Sequence, residues 1–210
     1  AKRRVALAHV INNFGLLLNE KGEHVEAEKH FRRAIELIRK MIDEGQKQRE
    51  DLLVFAHSNL ASSLMGQKKL DVAEEELLRA VELGQKYGIH VNINFHRLPG
   101  YCINGREMEP MDLFSGRKAE RDRALAAAVF HWKTFATRYK GIPSRNLSFD
   151  LINEPPWVKP YEGYLFERYD EIVRALVGGI READPGRLIF ADGLDLGQTP
   201  VMEIADVGVA

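Results

Sequence analysis

The chain of 210 residues holds one cysteine, two tryptophans and almost no net charge, −1 from 30 basic and 31 acidic side chains. Each scarcity removes a class of protein. A lone Cys102 allows no internal disulfide and no thiolate metal cluster, and it fixes no compartment. Balanced charge argues against nucleic acid or an anionic membrane as the main partner. No apolar run approaches the roughly 18–20 residues that a membrane span requires. The opening AKRRVALAHVINNFG is basic and then partly apolar, but His9, Asn12 and Asn13 interrupt any signal-peptide core. It reads as an amphipathic helix, and the missing Met implies a processed or engineered start. What is plentiful is apolar content, 45% of residues, enough for one large core or two small ones.

That apolar content is first laid out as a repeat. Gly15, Leu18, Ala27, Phe31 and Ala34 each have a counterpart 46 residues on, in Ala61, Leu64, Ala73, Leu77 and Ala80. Small residues recur where two helices must approach closely, with a larger apolar residue between them. The segments VALAHVINNFGLLLNEKGEHVEAEKHFRRAIELIRK and LVFAHSNLASSLMGQKKLDVAEEELLRAVEL resemble tetratricopeptide helix–turn–helix repeats. The alternative is an ordinary pair of antiparallel helical hairpins. The period is longer than that family's, so MIDEGQKQRE implies a longer second helix or a linker. Two copies are fewer than the roughly three that such arrays need, so something else must cover an exposed helical face.

The second copy runs on through LLRAVELGQKYG, with Lys86 in its last turn and Gly88 as its stop. IHVNINFHR follows. In a strand, Ile89, Val91, Ile93 and Phe95 share one face, and His90, Asn92, Asn94 and His96 share the other. Apolar outward and polar inward suits a barrel; a surface sheet with one wet face is the alternative. Residues 117–140 then predict a helix with a stripe of Leu125, Ala128, Val129, Trp132, Phe135, Ala136 and Tyr139. LSFDLIN, 147–153, predicts a strand that stops at Glu154-Pro155-Pro156. A second amphipathic helix carries Tyr164, Leu165, Tyr169, Ile172, Val173, Leu176 and Ile180, and closes at Asp184-Pro185-Gly186. RLIFADG is a further strand, a short helical piece lies around Val201 to Ile204, and DVGVA opens another strand. Strands alternating with helices indicate βα units and a parallel sheet, and the long loop 97–116 is of a length more often functional than not.

YGIHVNINFHRLPGYCINGRE, WKTFATRYKGIPSRNLSFDLINEPP and RLIFADG, in that order, resemble consecutive segments of glycoside hydrolase family 5, the (β/α)8-barrel endoglucanases and their relatives. The resemblance implies an α/β fold: all-α helical hairpin repeats over 1–83, then a partial (β/α)8 barrel over 84–210 holding about strands three to six. The helix at about 70–87 would be shared between the two. It also implies site residues. The Glu of the family's Asn-Glu-Pro motif is the acid/base catalyst and maps to Glu154. Asn153 would contact the sugar hydroxyl next to the reacting carbon, and His96, at the end of the third strand, would line the same cleft. Trp157, just past the prolines, offers an aromatic plane for a sugar ring or plain packing, whereas Trp132 sits in a helix stripe and reads as core. His90 reads as structural, since nothing supplies the other ligands of a metal site. No cofactor is implied.

The chemistry asks for more than one carboxylate. A retaining glycosidase needs two, roughly 5–5.5 Å apart, one to protonate the leaving oxygen and one to attack the anomeric carbon. In a (β/α)8 barrel such groups sit at strand C-termini, as Glu154 does. The family's nucleophilic Glu lies at the end of the seventh strand, beyond the residues matched here, so the resemblance implies an incomplete site. Asp150 lies four residues before Glu154, deeper in the barrel, Asp192 and Asp195 follow strand five near the rim, and none is given the missing role. A half-barrel joined to helical repeats reads as a chimera, made by design or recombination. Three expectations follow. The chain is a glycosidase of β-1,4-linked glucan or a related polysaccharide, with its missing half supplied by another chain, a homodimer through open half-barrel edges included. Or it is a scaffold whose repeat groove takes a peptide or helix. Or it is a fusion without catalysis.

Overall fold

The structure, a computed structural model, describes residues 2–46, 50–95, 97–103, 105, 109–161, 164–202 and 204. His96 and the strand expected at DVGVA lie outside the described residues. The chain divides into two compact units, Ala1–Val91 and Asn92–Ala210.

The first unit is helical: α1 (Lys2–Glu20), α2 (His24–Asp43), α3 (Asp51–Gly66) and α4 (Leu70–Tyr87). Neighbours in the chain pack on one another, α1 on α2, α2 on α3 and α3 on α4. The 46-residue period seen in the sequence recurs in the backbone. At the first turn Gly22 N donates to Asn19 O at 3.0 Å and Glu23 N to Leu18 O at 2.9 Å. At the second, Lys68 N donates to Met65 O and Lys69 N to Leu64 O, both at 2.9 Å. These bonds satisfy the last carbonyls of α1 and α3 and turn the chain back on itself. Ala27, Phe31, Ala34, Ala61, Leu64, Ala73 and Ala80 are buried as their spacing predicts, and Leu77 is half-buried. Gly15 has a steric reason. A Cβ there would lie 2.7 Å from the Phe31 ring, so only glycine lets α1 close on α2.

The second unit is α/β. β1 (Val91–Asn94), β4 (Leu147–Asp150) and β5 (Leu188–Phe190) form a sheet in the order β1-β4-β5, and β2 (Arg97–Leu98) pairs antiparallel with β3 (Tyr101–Cys102). β4 and β5 run parallel, with Ser148, Phe149 and Asp150 opposite Leu188, Ile189 and Phe190. Helices α5 (Lys118–Arg138) and α7 (Tyr164–Ala183) pack on each other, and the short α6 (Val158–Tyr161) precedes α7. One face of the sheet meets α5. Trp132 sits edge-on to Phe95, with ring centroids 4.7 Å apart, lies 5.1 Å from the Phe149 ring, and donates its Nε1–H to Leu151 O at 3.2 Å. The other face is polar, as the alternation of β1 predicts. Ser148 Oγ donates to Asn92 Oδ1 at 3.0 Å, and Asn94 Nδ2 reaches Asp150 Oδ2 at 3.5 Å. This is the inside-polar, outside-apolar strand arrangement of a partial (β/α)8 barrel.

Two features differ from the sequence reading. The buried line of α5 runs through Ala124, Ala128, Trp132 and Ala136, while Leu125 and Val129 are only half-buried. Small residues let the helix close on its neighbours. At Gly179 of α7 a Cβ would stand 2.7 Å from Val129, and at Gly100 one would stand 2.8 Å from Ala124. The second feature is two buried arginines. Arg187 donates to Leu147 O at 2.9 Å, to Tyr139 O at 3.0 Å and to Asp184 Oδ2 at 2.7 Å, and its guanidinium lies over the Phe149 ring. Arg168 donates twice to Leu113 O, at 3.0 and 2.9 Å.

Candidate functional site

The site grows from the point where β4 stops. Phe149 and Leu151 continue the apolar face, Ser148 and Asp150 the polar one, and backbone bonds from Leu151 N to Phe190 O at 3.1 Å and from Asn153 N to Phe95 O at 3.5 Å carry the chain into Asn153-Glu154-Pro155-Pro156. Glu154 is forced into the left-handed region, φ 50°. Such a conformation costs a residue with a Cβ about 1–2 kcal/mol. Four neighbours hold the segment there. Tyr101 Oη, from the β2–β3 hairpin, donates to Glu154 O at 2.5 Å, and Glu154 N donates to Asp192 Oδ2 at 3.4 Å. Asp195 N and Leu196 N donate to Pro156 O at 3.1 Å and to Pro155 O at 2.9 Å. The same Asp195 accepts from Val158 N at 2.7 Å. The segment is therefore pinned by its backbone, while the Glu154 carboxylate stands in solvent and Trp157 is half exposed.

Beside it, Asn94 links the inner face to the rim. Its Nδ2 donates to Asn153 Oδ1 at 2.7 Å as well as reaching Asp150. With Oδ1 taken, Asn153 has its own N–H groups left to offer a ligand. Asp150 is buried, and its Oδ1 has no hydrogen-bond partner. Its pKa is raised to about 6, mainly by burial and also by the Asp192 carboxylate, with the Asn94 hydrogen bond acting in the opposite sense. Tyr169 closes the underside by donating its hydroxyl to Asp192 O, and its own pKa is pushed far up by burial and the same carboxylates.

Of the residues singled out in the sequence, Asn153, Glu154 and Trp157 thus lie on one short pinned segment, and His96 is outside the described residues. Trp132 is fully buried packing. Sequence reasoning missed Tyr101, Asn94's bond to Asn153, and Asp192 as backbone acceptor. Asn94 had left a signal in the alternation of β1, and Asp192 one in its place after RLIFADG, though not its role as a backbone acceptor. Among the described residues no group of three or more His, Cys, Asp or Glu is placed to hold a metal ion, and no helix is long and apolar enough to cross a membrane. A cleft of about 520 Å³ on this unit opens elsewhere, between Val173 and Val177 of α7 and Ile189 of β5, and none of the candidate residues lines it.

The sequence profile of the cellulase family, glycosyl hydrolase family 5, matches residues 55–206, and a tetratricopeptide-repeat profile matches residues 7–44. The chain therefore belongs to glycosyl hydrolase family 5, and its first two helices resemble a tetratricopeptide repeat. Among solved structures, a glycoside hydrolase is 37% identical with a TM-score of 0.60, over 67% of this chain and 41% of its own. The chain thus spans about two fifths of that protein's length. An endoglucanase, Cel5A of Pseudomonas stutzeri, is 23% identical with a TM-score of 0.40, over 59% of this chain and 32% of its own. A search of curated proteins gives no significant match.

Proposed function

We propose that the strand-containing unit carries the acid/base half of a retaining glycosidase site, for a β-1,4-linked glucan or a related polysaccharide. Glu154 protonates the glycosidic oxygen. Asn153 donates to the hydroxyl beside the reacting carbon, Trp157 offers its ring face to a sugar, and His96 lines the same cleft. The observation that carries this reading is the strained backbone of Glu154, held by Tyr101 and Asp192 while its carboxylate stays free. Strain of that kind persists where the surrounding structure over-determines it, and it clusters at functional sites.

The retaining route needs a second carboxylate about 5–5.5 Å from the first. Asp192 is engaged by the Glu154 N–H and Asp150 is buried beneath the rim, so neither takes that role. The nucleophile is then a carboxylate outside the described residues, and a second copy joined through the open half-barrel edges would offer its own Glu154. Without it the covalent step is missing, and positioning does not replace it. The test is hydrolysis of an aryl β-cellobioside by the purified chain and by Glu154→Gln, with mass read by light scattering on the same sample. Hydrolysis lost in the variant supports the assignment, and a dimeric mass identifies the donor. Equal rates for both proteins overturn it.

A second reading rests on the first unit, where a groove of about 270 Å³ is lined by His9, Asn12, Leu16, Ile38, Leu52 and Phe55. Its apolar floor and polar rim fit a bound peptide or helix. A panel of helical peptides titrated against the chain and against Phe55→Ala tests it, the variant losing whatever binding the parent shows.

A further inference from the structure

β4 is the central strand of its sheet, and both of its neighbours, β1 and β5, belong to the chain. On the polar face Asn92 and Ser148 make one contact between β1 and β4, and Asn94 and Asp150 make the next. Asp150 is 9% exposed, and its Oδ1 has no hydrogen-bond partner. Its Oδ2 meets the Asn94 amide nitrogen at 3.5 Å. That same nitrogen lies 2.7 Å from Asn153 Oδ1. A buried carboxyl is therefore joined to one side chain, and through it to the amide beside Glu154. The two-carboxylate route gives neither Asp150 nor Asn94 a part.

The order of these three groups fixes their polarity. An amide has a donating end and an accepting end, whereas an ionised carboxylate only accepts. With Asp150 ionised, Asn94 turns its nitrogen toward β4, and Asn153 meets that nitrogen with its carbonyl oxygen. The Asn153 N–H groups then point away from Asn94. A protonated Asp150 donates instead, and the order reverses. Asn94 turns its oxygen to the new donor, Asn153 turns its nitrogen to that oxygen, and Asn153 presents a carbonyl in place of its N–H groups. Each amide needs only half a turn about its terminal torsion, which is roughly two-fold in preference. Asn94 is exposed and Asn153 half-buried, so both have room to turn.

We propose that Asp150 and Asn94 are positioning residues that set which end of the Asn153 amide faces the cleft, the proton on Asp150 selecting between them. The titratable groups facing Asp150 are the Asp192 carboxylate after β5 and the Tyr169 hydroxyl of α7, which donates to Asp192 O; β1 brings only the amides of Asn92 and Asn94. Asp192 already accepts from the Glu154 N–H, and its charge opposes a second one on Asp150. Burial and that carboxylate raise the Asp150 pKa to about 6, so both states of the relay are reached near neutral pH. What the relay does to a sugar rests on the glycosidase reading. Asn153 donates to the hydroxyl beside the reacting carbon when Asp150 is ionised, and accepts from it when Asp150 is protonated.

The test needs no turnover. Side-chain signals of the isotopically labelled chain are followed by NMR from about pH 4 to about pH 8. The Asp150 carboxyl carbon and the Asn153 side-chain amide nitrogen move together, with one midpoint. Asp150→Asn abolishes the movement at Asn153. Asn94→Leu leaves the Asp150 titration in place and also abolishes the movement at Asn153. Asn94 is exposed, so this variant keeps its fold, which the backbone amide spectrum checks. An Asn153 signal that ignores the Asp150 midpoint overturns the proposal. So does one that still follows it in Asn94→Leu, because the charge of Asp150 then acts through space. Failure of the aryl β-cellobioside assay leaves this result standing, and failure here leaves Glu154 to that assay.

Discussion

The helical unit writes one set of contacts twice, whereas the strand-containing unit writes each of its contacts once. At the turns of the helical unit the same backbone bonds recur 46 residues apart, at nearly the same distances. In the other unit single side chains tie distant segments together. Arg187 joins β5 to the start of β4 and the end of α5, Arg168 holds Leu113, and Tyr101 holds Glu154. Redundant local contacts spread a loss over neighbours; a solitary long-range contact does not. The largest effect therefore belongs to Arg187. Arg187→Ala leaves Asp184 without its buried guanidinium partner and takes a charged donor from the Leu147 and Tyr139 carbonyls, and it destabilises the strand-containing unit by about 3–5 kcal/mol. In the helical unit Arg4→Ala, which removes the exposed 2.5 Å pair with Glu44, changes stability by less than about 1 kcal/mol. Denaturant midpoints followed by hydrogen exchange in peptides of each unit check both. Equal effects would break the comparison.

Each unit also holds a buried group that changes charge between pH 3 and 8, His57 in one and Asp150 in the other, with opposite consequences for pH. His57 Nδ1 lies 2.5 Å from Glu76 Oε2, and Arg39 approaches its other ring nitrogen at 3.5 Å. Burial lowers the His57 pKa from its ordinary value; Glu76 opposes this, and Arg39 and Arg79 add to it. An unfolded histidine takes up its proton near pH 6.5 while the folded one stays neutral, so the helical unit loses stability as pH falls below about 6.5. Asp150 works the other way. Its folded pKa of about 6 lies above the unfolded value of about 3.9, so the folded form keeps a proton that the unfolded form has released. Stability of the strand-containing unit then falls as pH rises from about 4 to about 6, and remains lower above that. Asp150→Asn removes the fall and gains about 1–3 kcal/mol at pH 7, with no gain at pH 3. Thermal melts of each unit from pH 3 to 8 read both slopes. Parallel slopes would sink the contrast.

The same division governs what was legible in the sequence. Periodic signals depend on neighbours in the chain, so the 46-residue repeat, the helix stripes and the alternation of β1 and β4 were readable before any coordinates. The Asn153-Glu154-Pro155-Pro156 stop was readable for the same reason. Tyr101, Asp192 and Arg187 were not, because each acts on a segment at least 38 residues away and sits in no repeating pattern of its own. The α5 stripe was legible except for Ala124, a small residue that no large apolar spacing marks and that packs against Gly100.

The smallest predicted effects concern two residues with the same strained backbone. Lys68 has φ 61° and Glu154 φ 50°. Lys68 stands where the first copy has Gly22, at φ 79°, and its position asks only for a left-handed turn. Lys68→Gly therefore stabilises the helical unit by about 0.5–1 kcal/mol, the relief of αL strain less the extra chain entropy of glycine. Glu154→Gly relieves similar strain, because Tyr101 and Asp192 bond its backbone rather than its side chain. It gains a similar amount of stability and loses any hydrolysis that Glu154 supports. Urea midpoints of the two variants beside the parent, with the aryl β-cellobioside assay on the second, separate the cases. Gains in both would mark the strain at 68 as tolerated and the strain at 154 as kept for its carboxylate. A loss of stability in Glu154→Gly would mean that the exposed side chain itself holds the segment, and the left-handed turn at the end of β4 would then be a matter of packing rather than chemistry.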